Sequence, residues 1–223
     1  ARLGYSMEDA ANLAESTSVL MNVSEFTSID NATSALISTM QAFGYAAKDS
    51  MHVVDVMNEI GNNYAVSSDG IATALQDSAS SLMAANNSYQ EAVALVAAAN
   101  KVVQDPNSVG SALRTISLRL RGTSVDELES AGEDTTGVVT SKSKLRSKIK
   151  TLSGVDILTD TGAYKSTYEI LLEISKVWDH MSDIDQAALL EIIAGKFYQY
   201  VWKHAYRTHL NPVTPKALLL QCG

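Results

Sequence analysis

The segment Ser88–Pro106, SYQEAVALVAAANKVVQDP, is the clearest structural signal in this chain. Its first four residues have the S-x-x-E pattern of a helix capping box, in which Ser88 and Glu91 bind free backbone N–H groups. The segment ends at Asp105-Pro106, because the residue before a proline avoids the α conformation. It therefore predicts one complete amphipathic helix. Its apolar residues recur at the spacing of one helix face: Leu95, Val96, Ala99, Val102 and Val103.

Similar signals extend outward from this helix in both directions. Ser124 and Glu127 form a second capping box, and Gly44, Gly61 and Gly154 stand where helices are expected to end. No pair of alternating strand patterns occurs, although residues 155–158 are compatible with a lone short strand. The sequence thus predicts an all-α protein with about ten short-to-medium amphipathic helices joined by short polar loops.

Composition and charge exclude several classes of protein. The 223 residues carry 17 basic and 25 acidic side chains, a formal charge of −8, which argues against a dedicated sequence-specific nucleic-acid binder. A single cysteine, Cys222, excludes an internal disulfide framework and a cysteine-rich zinc site. No apolar run is long enough to span a membrane. The composition is that of an ordinary globular protein.

A search for chemistry finds no catalytic or cofactor-binding motif. The glycine-rich nucleotide-binding loops, the nucleophile elbow and the H-E-x-x-H zinc motif are all missing from the sequence. His52, Asp55 and Glu59 lie at helical spacing, but a metal site needs three or four converging ligands, and a surface histidine among carboxylates explains them more simply. We therefore predict a protein without catalytic, cofactor-binding or metal-binding residues, and not an enzyme.

The strongest charged feature is a set of three arginines, Arg114, Arg119 and Arg121, followed by five basic residues between positions 142 and 150. Arg114 and Arg121 are seven residues apart and are predicted to share a helix face. The three arginines are candidates for binding phosphate or an acidic partner. The alternative is that they are solvated or pair with the neighbouring acids, which are Asp126, Glu127, Glu129, Glu133 and Asp134.

An ordered series of segments resembles the core region of bacteriophage tail tape-measure proteins. The resemblance covers about residues 5–196 and rests on the order and spacing of the segments together. These are LISTMQAFG (36–44), NEIGNN (58–63), ALQDSASSL (74–82), AANKVVQDP (98–106), VGSALRTISLRLRG (109–122), ESAGED (129–134), LSGVDI (152–157), DQAALL (185–190) and AGK (194–196).

The resemblance implies a structural role in tail assembly. Tape-measure proteins are long helical chains inside the growing tail tube, and their length sets the length of that tube. The expected partners are the tail-tube protein, the tail assembly chaperones and further copies of the chain. The expected locations are the lumen of the virion tail tube and, during assembly, the cytoplasm of the bacterial host. At infection such a protein leaves the tube ahead of the DNA.

Residues 197–223 depart from this resemblance. From Lys196 onward the chain has four basic and no acidic side chains, and it holds five of the fourteen aromatic residues. We therefore predict a helical core region over residues 1–196, a piece of a longer chain, followed by an atypical basic-aromatic tail that is a frameshifted reading or disordered. The alternative function is a non-phage bacterial helical adaptor that binds a partner helix in an apolar groove.

Overall fold

The computed structural model describes the backbone of residues 4–207, together with the side chains of residues 4–196 and of Tyr198. The described residues are mostly helical and contain no strand, so the all-α prediction is confirmed. The described part of the chain has ten α-helices: α1 (Met7–Val23), α2 (Ile29–Phe43), α3 (Ser50–Asn63), α4 (Ser68–Ala84), α5 (Tyr89–Val103), α6 (Pro106–Leu120), α7 (Val125–Ser130), α8 (Lys142–Ser153), α9 (Thr167–Val177) and α10 (Asp183–Arg207).

Local sequence explains where most of these helices begin. Capping boxes start α1, α5, α7 and α9, and in each the serine hydroxyl accepts from the third backbone N–H of the helix. The predicted box of Ser88 and Glu91 is one of them. Each cap satisfies backbone groups that the helix itself leaves free, which stabilises the helix by about 1 kcal/mol.

Two local predictions were wrong. Gly61 does not end α3, which continues to Asn63; the residue is helical, and a Cβ there would lie 3.0 Å from Ser68 Oγ, so its small size serves the approach of α4. Residues 155–158 form no strand but an isolated bridge between Leu158 and Tyr164. Two backbone hydrogen bonds flank this bridge, from the Thr159 N–H to the Ala163 oxygen and from the Lys165 N–H to the Ile157 oxygen.

The core is built around α4 and α6, which pack closely on each other. Helix α4 also contacts α2 and α5, while α6 contacts α5 and α10. The apolar stripe of α6 is fully buried, including Val109, Leu113 and Ile116. Gly110 allows this approach, because a Cβ there would lie 2.5 Å from the carbonyl oxygen of Ala74. Most of the buried apolar residues form one hydrophobic cluster, to which every α-helix except α7 contributes side chains.

Helix α10 is interrupted at Gly195, which has φ 66° and ψ −178°. Its first part buries Leu189, Leu190 and Ile193 against the rest of the fold. The backbone beyond the interruption is again helical as far as Arg207. Residues 208–223, the greater part of the predicted tail, lie outside the described residues. None of the helices within residues 4–207 is both long and apolar enough to cross a membrane.

Candidate partner-binding site

The three candidate arginines lie in the second half of α6 and at its C-cap. Asp105 caps the start of this helix by accepting from the Asn107 N–H, and Pro106 occupies its first turn, where no backbone donor is needed. Arg121 stands at the C-cap of the helix. The structure directs the three guanidinium groups to different partners and does not bring them together on one exposed surface.

Arg114 neutralises a buried carboxylate. Its Nε lies 2.6 Å from Glu133 Oε1, and the side chain of Glu133 is only 2% exposed. The hydroxyl of Thr115 donates to the other oxygen of the same carboxylate. A buried carboxylate is tolerated when it is paired and hydrogen-bonded in this way. Arg114 itself is about one-third exposed. Its role in the structure is to neutralise the charge of Glu133.

Arg119 is buried and binds backbone carbonyl groups from two other segments. Its Nη1 donates to the oxygens of Thr136 at 2.9 Å and Glu191 at 3.1 Å, and its Nη2 donates to the oxygen of Asp134. Burial lowers the pKa of this guanidinium, while the nearby carboxylates, Asp134 first, oppose that shift. Arg119 thereby joins α6 to the loop after α7 and to the first part of α10.

Asp134 completes this connection at the interruption of α10. Its Oδ2 lies 3.7 Å from Arg119 Nη2 and accepts from the Lys196 N–H at 2.9 Å, while Oδ1 accepts from the Thr136 N–H. Burial raises the pKa of Asp134, but the hydrogen bonds from Thr136 and Lys196 outweigh it and hold the pKa below its usual value. A Cβ at Gly195 would lie 2.6 Å from both Asp134 Oδ2 and Arg119 Nη2. We call Arg119, Asp134, Thr136 and Gly195 the Arg119 junction.

Arg121 turns toward the segment that precedes α9. Its guanidinium carbon lies 4.6 Å from the centre of the Tyr164 ring, a cation–π contact, and its Nη2 donates to the Lys165 oxygen at 3.2 Å. Burial lowers the pKa of this guanidinium as well. Two of the three candidate arginines thus pair with Glu133 and Asp134, which the sequence offered as alternative partners, and Arg121 pairs with an aromatic ring.

A basic groove lies beside α8, near this contact. One wall consists of Lys142, Arg146 and Lys150, which are exposed and stand one turn apart, and the opposite side is formed by Ile157, Leu158 and Tyr164. Ser143 and Ser147 complete a cavity of about 520 Å³, which we call the α8 groove. The neighbouring face of α8 is anchored by the buried side chains Leu145 and Ile149.

Asp156 holds part of this basic wall in place. Arg146 donates to both of its carboxylate oxygens at 2.7 Å, and Lys150 Nζ lies 3.1 Å away. These bonds, that from Arg146 first, hold the pKa of Asp156 well below its usual value. The basic residues of α8 are evident in the sequence, but the groove is not, because Leu158 and Tyr164 belong to a turn whose position depends on the tertiary fold.

His52 is not part of a metal-binding site within the described residues. His52 Nε2 lies 2.9 Å from Gln90 Nε2, and its ring packs 5.8 Å from that of Tyr45. Among the described residues, no group of three or more histidine, cysteine, aspartate or glutamate side chains is placed to hold a metal ion. Cys222 lies outside the described residues.

The fold and these contacts describe an all-helical protein whose buried charges hold its helices together. The family model for phage-related minor tail proteins matches residues 1–195, and the chain belongs to that family. It is therefore a phage tail protein, which points to the virion tail as its location and to tail-assembly proteins as its partners. No solved structure matches this chain. Membership favours the tail role over a non-phage adaptor.

Proposed function

We propose that this chain is the core region of a tail tape-measure protein. In this role it is a helical scaffold inside the growing tail tube, sets the length of that tube and leaves it ahead of the DNA at infection. The observation that carries the proposal is the agreement between two ranges. The family match covers residues 1–195, and the ordered segments that resemble tape-measure proteins cover about residues 5–196.

The proposed role is structural and uses no catalytic residue. Tail-tube subunits and tail assembly chaperones are the proposed partners, in the tube lumen and, before that, in the host cytoplasm. A ruler needs axial length, and the packed helices supply much less of it than an extended chain does. One continuous helix of about 196 residues would span about 290 Å, at about 1.5 Å per residue. The contribution to tail length therefore depends on whether this bundle opens inside the tube.

The test is to change the length of this region in the phage gene that encodes it. We expect an in-frame duplication of residues 1–196 to lengthen the tails by up to about 290 Å, the value for a fully extended helix. Electron microscopy of purified virions measures this directly. Duplication is preferable to deletion, because it retains one intact copy of every partner-binding surface.

The control is the wild-type gene reinserted at the same locus, which corrects for the manipulation itself. A smaller but uniform lengthening would indicate that the bundle stays packed in the tube while still contributing to the ruler. Tails of unchanged length, assembled with the longer protein, would contradict a measuring role for this region and leave it a tail protein of another kind.

A further inference from the structure

The α8 groove has a basic wall and an apolar opposite side, and this combination defines the kind of segment that it would bind. Three cationic side chains, those of Lys142, Arg146 and Lys150, line the groove. Asp156 pairs with Arg146 and Lys150, and Glu127 interacts electrostatically with Lys142, so the groove keeps an excess of one positive charge. Leu158 and Tyr164 are half-buried and provide apolar surface beside these charges. A volume of about 520 Å³ is in the range of sites that bury a small ligand or a short peptide segment.

The chain itself presents a segment with the complementary chemistry. Ile184 is 82% exposed at the start of α10, among the most exposed large apolar side chains in the described residues. It stands between Asp183 and Asp185, and residues 178–191 contain no lysine or arginine. The hydroxyl of Ser182 accepts from the Asp185 N–H, which fixes this first turn of the helix. We call residues 183–185 the Ile184 tip.

Two other exposed apolar side chains fit the groove less well. Met7 is 89% exposed and Ile29 is 58% exposed, but each has a carboxylate only on its C-terminal side and a serine before it. Methionine also loses more side-chain entropy than isoleucine when it is immobilised. Isoleucine is β-branched and stiff, and the two aspartates place negative charge on both sides of it. Of these three exposed apolar side chains, Ile184 therefore matches the groove best.

We propose that the α8 groove of one copy of this protein binds the Ile184 tip of a second copy. Ile184 enters between the basic wall and Leu158 and Tyr164, while Asp183 and Asp185 face the lysines and Arg146. The groove and the tip are different surfaces, so the association is head-to-tail and continues beyond a dimer unless a ring closes. This inference goes beyond the measuring role and does not rest on it.

The first experiment measures association of the purified 223-residue chain by sedimentation velocity across a concentration series. A reducing agent is present, because Cys222 could otherwise link two copies covalently. We expect the average mass to rise with concentration at about 0.1 M salt and to rise less at about 1 M, where the screening length falls from about 10 Å to about 3 Å. A protein that remains monomeric at every concentration overturns the proposal.

Variants then test each surface separately. Ile184→Ser removes the apolar tip, and Ser147→Glu places a negative charge in the groove without removing any of its cations. Each is expected to weaken association by at least about tenfold, through lost apolar burial or through like-charge repulsion. The matched controls are Ile29→Ser and Lys148→Glu, which change an exposed isoleucine and an exposed lysine of α8 that do not line the groove.

Lys148→Glu alters the net charge more than Ser147→Glu does, so a larger effect of Ser147→Glu excludes a general charge effect. Equal effects of a variant and its control overturn the assignment. The decisive measurement is a mixture of the Ile184→Ser and Ser147→Glu chains. One retains its groove and the other its tip, so the mixture is expected to form one-to-one dimers and no larger species. A mixture that stays monomeric overturns the proposal, whatever the tail-length experiment finds.

Discussion

At the residue scale, three arginines of one helix have three different environments. Arg114 holds a buried carboxylate, Arg119 binds backbone carbonyls, and Arg121 packs on an aromatic ring. Helical spacing predicted which of them share a face, but their partners lie on loops whose positions are set by the tertiary fold. The carbonyl groups of Glu191 and Ile192, near the end of the first part of α10, form the negative end of that segment and favour a buried cation.

Gly195 is the glycine of the Arg119 junction, and we expect its replacement by alanine to destabilise the fold. Its φ is positive, and a Cβ would meet Arg119 and Asp134. Its ψ of −178° places it in a region of backbone conformation that essentially only glycine adopts, so Gly195→Ala should lower the free energy of unfolding by about 1–3 kcal/mol for the backbone alone. It should lose about 1–3 kcal/mol more for the clash with packed groups. Urea denaturation measures both effects together.

Gly154→Ala is the matched control for this change. Gly154 also has a positive φ, of 74°, but a Cβ there would have no atom within 4 Å. Its ψ is −9°, in the left-handed region, so Gly154→Ala should lower the free energy of unfolding by about 1–2 kcal/mol for the backbone conformation alone. If the two variants lose the same stability, the groups around Gly195 yield easily, and the Arg119 junction is not the rigid connection that its contacts indicate.

Asp134 should make the stability of the fold depend on acid pH. Its pKa is held below the ordinary value of 3.8, so the ionised carboxylate stabilises the folded state above that pH. This contribution disappears as the pH falls through the folded-state pKa. Asp134→Asn should therefore be less stable than the wild type at pH 7, and the difference should shrink below pH 3.8.

Thermal or urea unfolding at a series of pH values measures this difference. The control is Asp183→Asn, which removes a carboxylate at the exposed start of α10, away from Arg119. A stability difference for Asp134→Asn that stays constant down to acid pH would contradict the assigned charge interactions, because it would then arise from the neutral geometry of the side chain.

At the element scale, local signals predicted helix boundaries where the chemistry is contained within a few residues. The capping box of Ser88 and Glu91 and the left-handed Gly154 both stand where the sequence placed them. Gly61 is also a glycine, but it lies within α3 and allows the close contact between α3 and α4. A glycine that ends a helix and one that allows a close approach look alike in a sequence, since only the tertiary neighbour distinguishes them.

The contact of α4 with α6 should depend on Gly110. Replacing it with alanine would put a Cβ 2.5 Å from the Ala74 oxygen, a backbone atom that cannot rotate away. We expect Gly110→Ala to reduce the free energy of unfolding by about 1–3 kcal/mol through overpacking. The higher helix propensity of alanine recovers at most about 1 kcal/mol of this.

Gly61→Ala is the comparison, measured by the same denaturation experiment. There the nearest atom is the side-chain oxygen of Ser68, which can rotate, and the helix gains propensity. Gly61→Ala should therefore cost clearly less stability than Gly110→Ala. A similar loss for both would indicate that the space around α4 is uniformly tight and that Gly110 has no special part in the packing.

At the scale of the whole molecule, the sequence predicted the helical class. It also shows a change of composition near Lys196, from an acidic chain to a basic and aromatic one. It did not predict the α8 groove, because Lys142 and Tyr164 are far apart in the chain and meet only through the position of α8. The family match ends at residue 195, next to the interruption at Gly195 and to the start of the basic-aromatic segment.

The origin of residues 197–223 stays a prediction, and the gene sequence tests it. If this segment is a frameshifted reading, one of the other two reading frames after the Lys196 codon should encode a polar helix like those of tape-measure proteins. If neither frame does so, the frameshift hypothesis is wrong, and the segment is a genuine basic-aromatic extension of the core region.

Whether the core region folds without the rest of that segment can be tested by shortening the chain. A chain that ends at Tyr198 keeps every side chain whose contacts the structure describes, including the Asp134 bond to the Lys196 N–H. Its free energy of unfolding should lie within about 1 kcal/mol of that of the 223-residue chain, a difference that is small beside a typical domain stability. Urea denaturation followed by circular dichroism measures this.

A chain that ends at Leu189 is the contrasting variant. It lacks Leu190, Ile192 and Ile193, which are buried, and it exposes the Arg119 guanidinium that their helix covers. Loss of each large aliphatic side chain costs about 2–5 kcal/mol, so this chain should not fold cooperatively. If the chain ending at Tyr198 is also unfolded, the predicted boundary after Lys196 is wrong. Residues 199–223 would then be part of the same cooperative unit as the Arg119 junction.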